Sequence, residues 1–566
     1  MKYLSFIKLL VVNCILMVTC TCTTVQANNF SFNVSSLPKH TDLATALNAK
    51  FGNLRYKDTA IINFDKPGTY TIDGVVLLKC NVVMTGLGAD KTVLVLNKDD
   101  RKPLKGADAF LTFIGKLGQP ITVSISDLSI KLKEHDGIWW EKSRFHAVKI
   151  YHASKVDINR VDSYMSNAVI TNFDLRVCSN VTVENCIISN YNNCKAGGNL
   201  WLRGEMHNIN ISHNKIYKYG NDEAVAFFSR TVDAIKDTRG NIKRTNIKVN
   251  DNEFYYQHND KLIDGLFNGM IFSVITSEND VSNSCDMKGF ELARNKFVIN
   301  DLCKRIIYLQ FTAVDKHHDF VIRDNEFISN NVNSNEKFYR MDIDVWDESK
   351  QQDTIVVSNN TMTNSYPLMN PYSGTGYTFL LIRGGNVLLD GNKVNNRITT
   401  SPDGKEYGIN LLWSGKEGAS FTLRNNVCKG LARIITLESG GGIGRVSLNA
   451  FNNYFQGRTS IYCKKIERLD LDFKNNTFDC NHNSFFLEEF ADKGTLIFNN
   501  NKVTVSTGNG RLMNHYGASN TTNSMRFENL EVSGNEFRGV KSQDDMMKHM
   551  TNVRKQKVKA NSFSKY

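Results

Sequence analysis

Asp342 and Asp344 stand two residues apart in the segment RMDIDVW. On a strand both side chains would leave the same face, with their backbones roughly 6.7 Å apart. Paired carboxylates can split their proton affinities and serve as acid and base, and inverting glycosidases hold theirs roughly 6.5–9.5 Å apart. Arg383, in FLLIRGG, is expected one coil further on. Its guanidinium there would keep Asp344 ionised or grip an acid group of a substrate in bidentate fashion. The same trio also reads as a cross-coil ion pair on a wet surface, which contributes little.

For these residues to meet, the chain must wind. A pattern apolar-x-apolar-x-x-Asn-x-apolar recurs as INISHNKI from Ile209, IKVNDNEF from Ile247, FELARNKF from Phe290, FVIRDNEF from Phe320 and IVVSNNTM from Ile355. It continues as VLLDGNKV from Val387, FTLRNNVC from Phe421, LIFNNNKV from Leu496 and LEVSGNEF from Leu530. The leading piece is a period-2 strand with one buried face. Asn tolerates the left-handed backbone that a sharp corner needs, and its amide can bond to the equivalent Asn of the next coil. The apolar residue after it returns to the core. Spacing between these asparagines varies, as expected when the loop at one corner varies in length. A chain of 566 residues is long for one core, but a solenoid escapes that limit because each repeat touches only its neighbours. Seven prolines and a one-sided corner signal fit neither helical repeats nor propeller blades. The expected fold is all-β: a single-stranded right-handed parallel β-helix. A short helix over Thr41–Phe51, with Thr41 as its cap, would plug the N-terminal end.

A second strand follows each Asn corner. In it Val148/Ile150, Leu200/Leu202, Val225/Phe227, Ile307/Leu309, Met341/Ile343, Leu380/Ile382 and Ile435/Leu437 are expected to point inward. One outward ladder then reads Tyr151, Arg203, Phe228, Gln310, Asp344, Arg383, Glu438, Lys464, Glu488. The other reads Lys149, Trp201, Ala226, Tyr308, Asp342, Leu381, Thr436, Tyr462, Phe486. Rings offer flat apolar faces with polar rims, and fixed polar groups orient a ligand, so the flank suits a sugar chain. The plainer reading is a sheet face of mixed polarity, since strands favour aromatics anyway. Asp342 and Asp344 are the catalytic candidates. Trp201, Arg203, Gln310, Arg383, Glu438 and Asp222 are the binding candidates, Asp222 sharing outward parity with Ala224 and Ala226 while Glu223 braces the corner. His146 and His152 flank an early coil as weaker candidates for a base. No metal-ligand spacing is legible.

The stretch Ile61–Leu96, IINFDKPGTYTIDGVVLLKCNVVMTGLGADKTVLVL, carries a strand, a Pro-Gly-Thr-Tyr turn and a Gly-x-Gly turn. It resembles the opening coils of the pectate-lyase-like β-helix superfamily; beyond it only the coil rhythm matches. The resemblance implies pectate lyases, polygalacturonase-like hydrolases, other glycan lyases, or non-catalytic tailspikes and adhesins. An Arg-x-Pro-x-x-Arg segment, an Asn-Thr-Asp/Asp-Asp/Gly-His-Gly/Arg-Ile-Lys set and an Asp-Pro-His-Glu motif are all absent, so no family residues carry over. Three functions stay open: a glycoside hydrolase using Asp342 and Asp344; a lyase on an acidic glycan, with Arg383 or a lysine as base and Ca²⁺ as a conceivable cofactor; and a glycan-binding protein without chemistry.

Residues 1–27 read as a cleaved leader: Lys2 and Lys8, an apolar run from Leu9 to Val18, and Val25-Gln26-Ala27 before the cut. A lipid on Cys20 or Cys22 ranks second. Residues 28–110 would form the cap and first coils, 111–551 the regular coils, and 552–566 a basic end that discourages end-to-end strand pairing. A secreted or periplasmic, monomeric protein without a transmembrane segment is expected. Its formal charge of +12 favours acidic partners; export argues against nucleic acid and for a polysaccharide or oligosaccharide. Of twelve cysteines, Cys14, Cys20 and Cys22 fall in the leader and the rest are odd in number. Most read as small buried hydrophobes, with a Cys178–Cys186 or Cys186–Cys194 disulfide as an option.

Overall fold

The computed structural model describes residues 27–38, 41–97, 109–132, 145–166, 169–191, 197–220, 222–228, 242–257, 269–275, 284–300, 303, 305–330, 343–349, 353–364, 378–396, 399–400, 406–407, 409–414, 420–480, 487–488, 491–508, 510–512, 527–548, 550 and 553–566. Residues 1–26 of the expected leader, Cys194 and Asp342 lie outside them.

Three stacks of short parallel strands run along the molecule. In one, Phe290–Ala293 pairs with Phe320–Arg323. In the next, Lys296–Ile299 pairs with Glu326–Ser329. In the third, Ile307–Phe311 pairs with Ile343–Asp347. This cycle repeats from coil to coil and makes the chain a parallel β-helix, the winding whose right-handed sense parallel crossovers take. Most inward positions are apolar and join in one continuous core from Val34 to Met550, with exceptions such as the fully buried Arg244 and His317. Among the described residues, antiparallel pairing is confined to Thr399–Thr400 with Glu406–Tyr407 and a bridge between Lys116 and Gln119.

The asparagine corners stack as one ladder. Each side-chain amide donates to the Oδ1 of the next: Asn214 to Asn252 at 2.9 Å, Asn252 to Asn295 at 3.0 Å, Asn325 to Asn360 at 2.9 Å and Asn476 to Asn501 at 3.0 Å. The row continues past Asn535 to Asn561. One detail differs from expectation. The left-handed residue at each corner is the one before the ladder asparagine, such as Asp251 (φ 60°), Arg294 (φ 54°), Asn359 (φ 53°) and Asn475 (φ 56°). That residue makes the bend, which frees the ladder asparagine to turn its amide inward and bond up and down the stack.

The N-terminal plug is the helix Leu43–Phe51, which buries Leu43, Ala44, Leu47 and Phe51. Asp42, not Thr41, caps it, accepting from the backbone N–H groups of Ala44 and Thr45 at 3.2 and 2.9 Å. A carboxylate reaches two orphan amides where one hydroxyl would serve one. At the other end the basic segment is a last coil, with Lys555–Lys559 paired to Asn529–Ser533 and Ser562–Ser564 to Glu536–Arg538. Cys178 and Cys186 are unbridged and buried, and burial pushes both thiols up to about 12. No helix among the described residues is long and apolar enough to cross a membrane.

Candidate functional site

The outward positions of the third stack form two straight ladders. One runs Lys149, Asp174, Trp201, Ala226, Ser273, Tyr308, Asp344, Leu381 and Trp413. The other runs Tyr151, Arg176, Arg203, Phe228, Ile275, Gln310 and Trp346. Asp344 therefore shares its rung with Tyr308 and Leu381, where the sequence reading set it beside Gln310 and Arg383. The inward pair is Ile343/Val345, not Met341/Ile343. Met-Asp-Ile and Ile-Asp-Val satisfy the same apolar-x-apolar rule. A two-residue slip keeps every side chain on its face, so periodicity cannot detect it.

Two aspartates on the first ladder organise the flank. Asp344 has no exposed surface. Arg305 Nε lies 2.9 Å from its Oδ2 and Arg383 Nε 3.9 Å from its Oδ1. Arg305 lies over the Tyr308 ring at 4.1 Å, and Arg383 over the Trp346 ring at 4.8 Å. The Tyr308 hydroxyl donates to Gln310 Oε1 at 3.1 Å. Burial, ahead of the opposing pull of Arg305, holds the Tyr308 phenol above its ordinary value. This ion pair is not the wet surface bridge that sequence allowed. Removing one partner of a buried pair leaves an uncompensated charge.

Asp174 repeats the arrangement and is equally buried. Its Oδ2 accepts from Arg176 Nε at 2.8 Å and Nη2 at 2.6 Å, Arg203 Nε sits 3.2 Å from Oδ1, and His146 Nε2 sits 3.3 Å from Oδ2. His146 Nδ1 meets the Thr171 hydroxyl. Arg203 lies over the Trp201 ring at 4.5 Å and the Phe228 ring at 5.9 Å. Burial alone would favour the protonated acid, but His146, Arg203 and Arg176 together hold Asp174 below the usual carboxylate range. Arg176 is followed by Val177 at φ 52°, a branched residue in the left-handed region. There the strand register shifts as the chain leaves the cluster.

The sequence reading missed Asp174, Arg176 and Arg305. NFDLRVC follows a coil without the usual Asn corner: Val161, and Cys186 in the next coil, stand where Asn214 begins the row. Its own alternation, Phe173/Leu175 inward and Asp174/Arg176 outward, was the available signal. Arg305 has inward parity but lies at the start of its strand, where a long side chain can reach around the edge. Of the candidates, Trp201, Arg203, Gln310, Asp344 and Arg383 lie on this flank. Glu438 pairs with Lys464 in backbone register and Asp222 with Gly269; both side chains are outside the described set. Asp174 and Asp344 are five strand spacings apart, about 24 Å, so they cannot act as one acid–base pair. Among the described residues no group of three or more His, Cys, Asp or Glu side chains is placed to hold a metal ion.

No protein-family model and no curated protein sequence matches the chain. Among solved structures, the Agl-KA catalytic domain is 14% identical with a TM-score of 0.36, over 78% of this chain and 66% of that one. An exopolygalacturonase from Thermotoga maritima is 9% identical with a TM-score of 0.33, over 80% of this chain and 93% of that one. A mannuronic acid specific polysaccharide family 6 lyase from human gut microbiota is 12% identical with a TM-score of 0.31, over 94% and 91%. Overlaps this loose say nothing about activity; the fold rests on the strand pairing itself.

Proposed function

We propose that this chain binds an acidic polysaccharide along the third strand stack and cleaves it by β-elimination. The observation that carries the reading is the repeated unit of a buried aspartate, an arginine turned to it through Nε, and an aromatic ring under that arginine. Arg203, Arg305 and Arg383 are 12%, 15% and 24% exposed, so they reach solvent at the flank. A guanidinium has five donors in a planar fork; a carboxylate near Nε and a ring beneath it favour one orientation that suits an anionic substituent. Elimination next to a uronate needs its charge neutralised and a base at the adjacent carbon. Arg203 supplies the cation. Lys149, half-buried one rung from Asp174 on the same ladder, is the base: it takes the proton from the carbon bearing the uronate as the glycosidic C–O bond at the next carbon breaks, and the departing oxygen takes a proton from water. Hydrolysis is favoured less, because Asp344 faces Arg305 and Arg383 and its distance from Asp174 excludes their pairing. A hydrolase would have to draw on Asp342.

Incubating the protein with a panel of acidic and neutral glycans, with and without chelator, separates the readings. Ultraviolet absorbance from an unsaturated product, lost in Lys149→Met with binding retained, is the expected result. New reducing ends without that absorbance would make the protein a hydrolase. Binding without product would make it a non-catalytic glycan-binding protein. Loss of activity with chelator alone would add Ca²⁺ as a cofactor.

A further inference from the structure

The two aspartate–arginine–aromatic units stand on the same two ladders, in the same orientation, five strand spacings apart. Between them the inner ladder carries Ala226 and Ser273, both fully buried and small. The outer ladder offers Phe228, Ile275 and Gln310. On these two ladders no charged residue stands between Arg203 and Asp344. The line from Arg203 to Arg383 thus begins and ends in a cation held over a ring, with Arg305 and the buried Asp344 belonging to the far station.

We infer that the flank is a two-station ruler for a polyanionic chain: Arg203 grips one anionic substituent, Arg383 with Arg305 grips another about 24 Å along the axis, and the ligand must be long enough to bridge them. This rests on the proposed polysaccharide reading and adds a minimum length and a charge at both ends. The shared chemistry is an anionic group on a sugar, either a uronate carboxylate or a sulfate ester. A chain engaging both stations gains effective concentration, because the second contact is intramolecular once the first has formed. A shorter chain engages one station and gains nothing.

The test measures affinity by calorimetry, in the cold to suppress turnover, for oligogalacturonates and sulfated oligosaccharides of graded length, with carboxyl-reduced oligogalacturonates as neutral controls. The expected result is a weak affinity independent of length for short chains, then a step of about tenfold or more at the length that bridges the stations. The anionic series that shows the step identifies the substituent. Arg203→Gln and Arg383→Gln should each abolish the step and halve the number of short-chain sites, with the affinity of the remaining station unchanged. Neither strips its aspartate of partners, since Arg176 and His146 remain at Asp174 and Arg305 at Asp344. An unchanged thermal midpoint confirms that each variant is folded, and Arg203→Met or Arg383→Met replaces any variant that is not. A smooth rise with length, a step that survives either substitution, or equal binding of neutral chains would overturn the ruler. Product formation without a length step sinks the ruler alone; absence of any glycan binding sinks the proposed function with it.

Discussion

At the scale of residues, the flank is a balance between desolvation and compensation. Asp174 and Asp344 are fully buried, a position an isolated carboxylate would not hold in its charged form. At Asp174, His146, Arg176 and Arg203 reverse the preference. The linkage fixes the sign. A carboxyl with a depressed native pKa stabilises the fold above its unfolded-state value, and that contribution is lost as pH falls through the native one. Asp174→Asn should therefore destabilise at neutral pH, by about 3–5 kcal/mol for a buried network deprived of its anion. In urea titrations its gap to the parent protein should narrow below about pH 4. A gap that stays unchanged well below that pH would mean the cluster is not ionised as described.

At the scale of elements, the asparagine ladder links successive coils. The Asn360 amide donates to Ile322 O at 3.0 Å and Asn392 Oδ1 at 3.1 Å, and its Oδ1 accepts from Asn325 N and Nδ2 at 3.0 and 2.9 Å. Asn360→Ala strands partners on both sides in a buried row, where each orphaned group costs about 1–3 kcal/mol. Hydrogen exchange should accelerate in the coils holding Asn325 and Asn392 and stay unchanged near Asn214, because a solenoid passes stability only between neighbours. Uniform acceleration along the chain would refute that locality.

At the scale of the whole molecule, the two ends of the described winding differ. The helix Leu43–Phe51 covers one. The last described coil forms an edge at the other, with Phe563 stacked on Phe537 at 5.4 Å and Lys555, Lys557 and Lys559 along its outer strand. Charged residues on an edge deter pairing with a second chain. Deleting residues 553–566 would bare the edge at Asn529–Ser533 and uncover Phe537. Size-exclusion chromatography should then show concentration-dependent association that the full chain lacks. A truncated protein eluting as the full chain does would show the edge to be harmless.

The winding was legible from the sequence alone because it is written in local rules. Apolar alternation marks each strand and an asparagine marks one corner, and both repeat often enough to need no tertiary information. The flank's identity was legible for the same reason: parity fixes which side chains face out, so Trp201, Arg203, Gln310, Asp344 and Arg383 were found. Register was decided only by the tertiary structure. A slip of two residues preserves parity, and variable loops erase the count between coils, so Asp344 could not be matched to Tyr308, nor Asp174 recognised as its counterpart. Burial was decided there too. Whether an outward aspartate is a wet surface charge or the buried anchor of two guanidiniums depends on what packs over it, and that is set by residues distant in the chain.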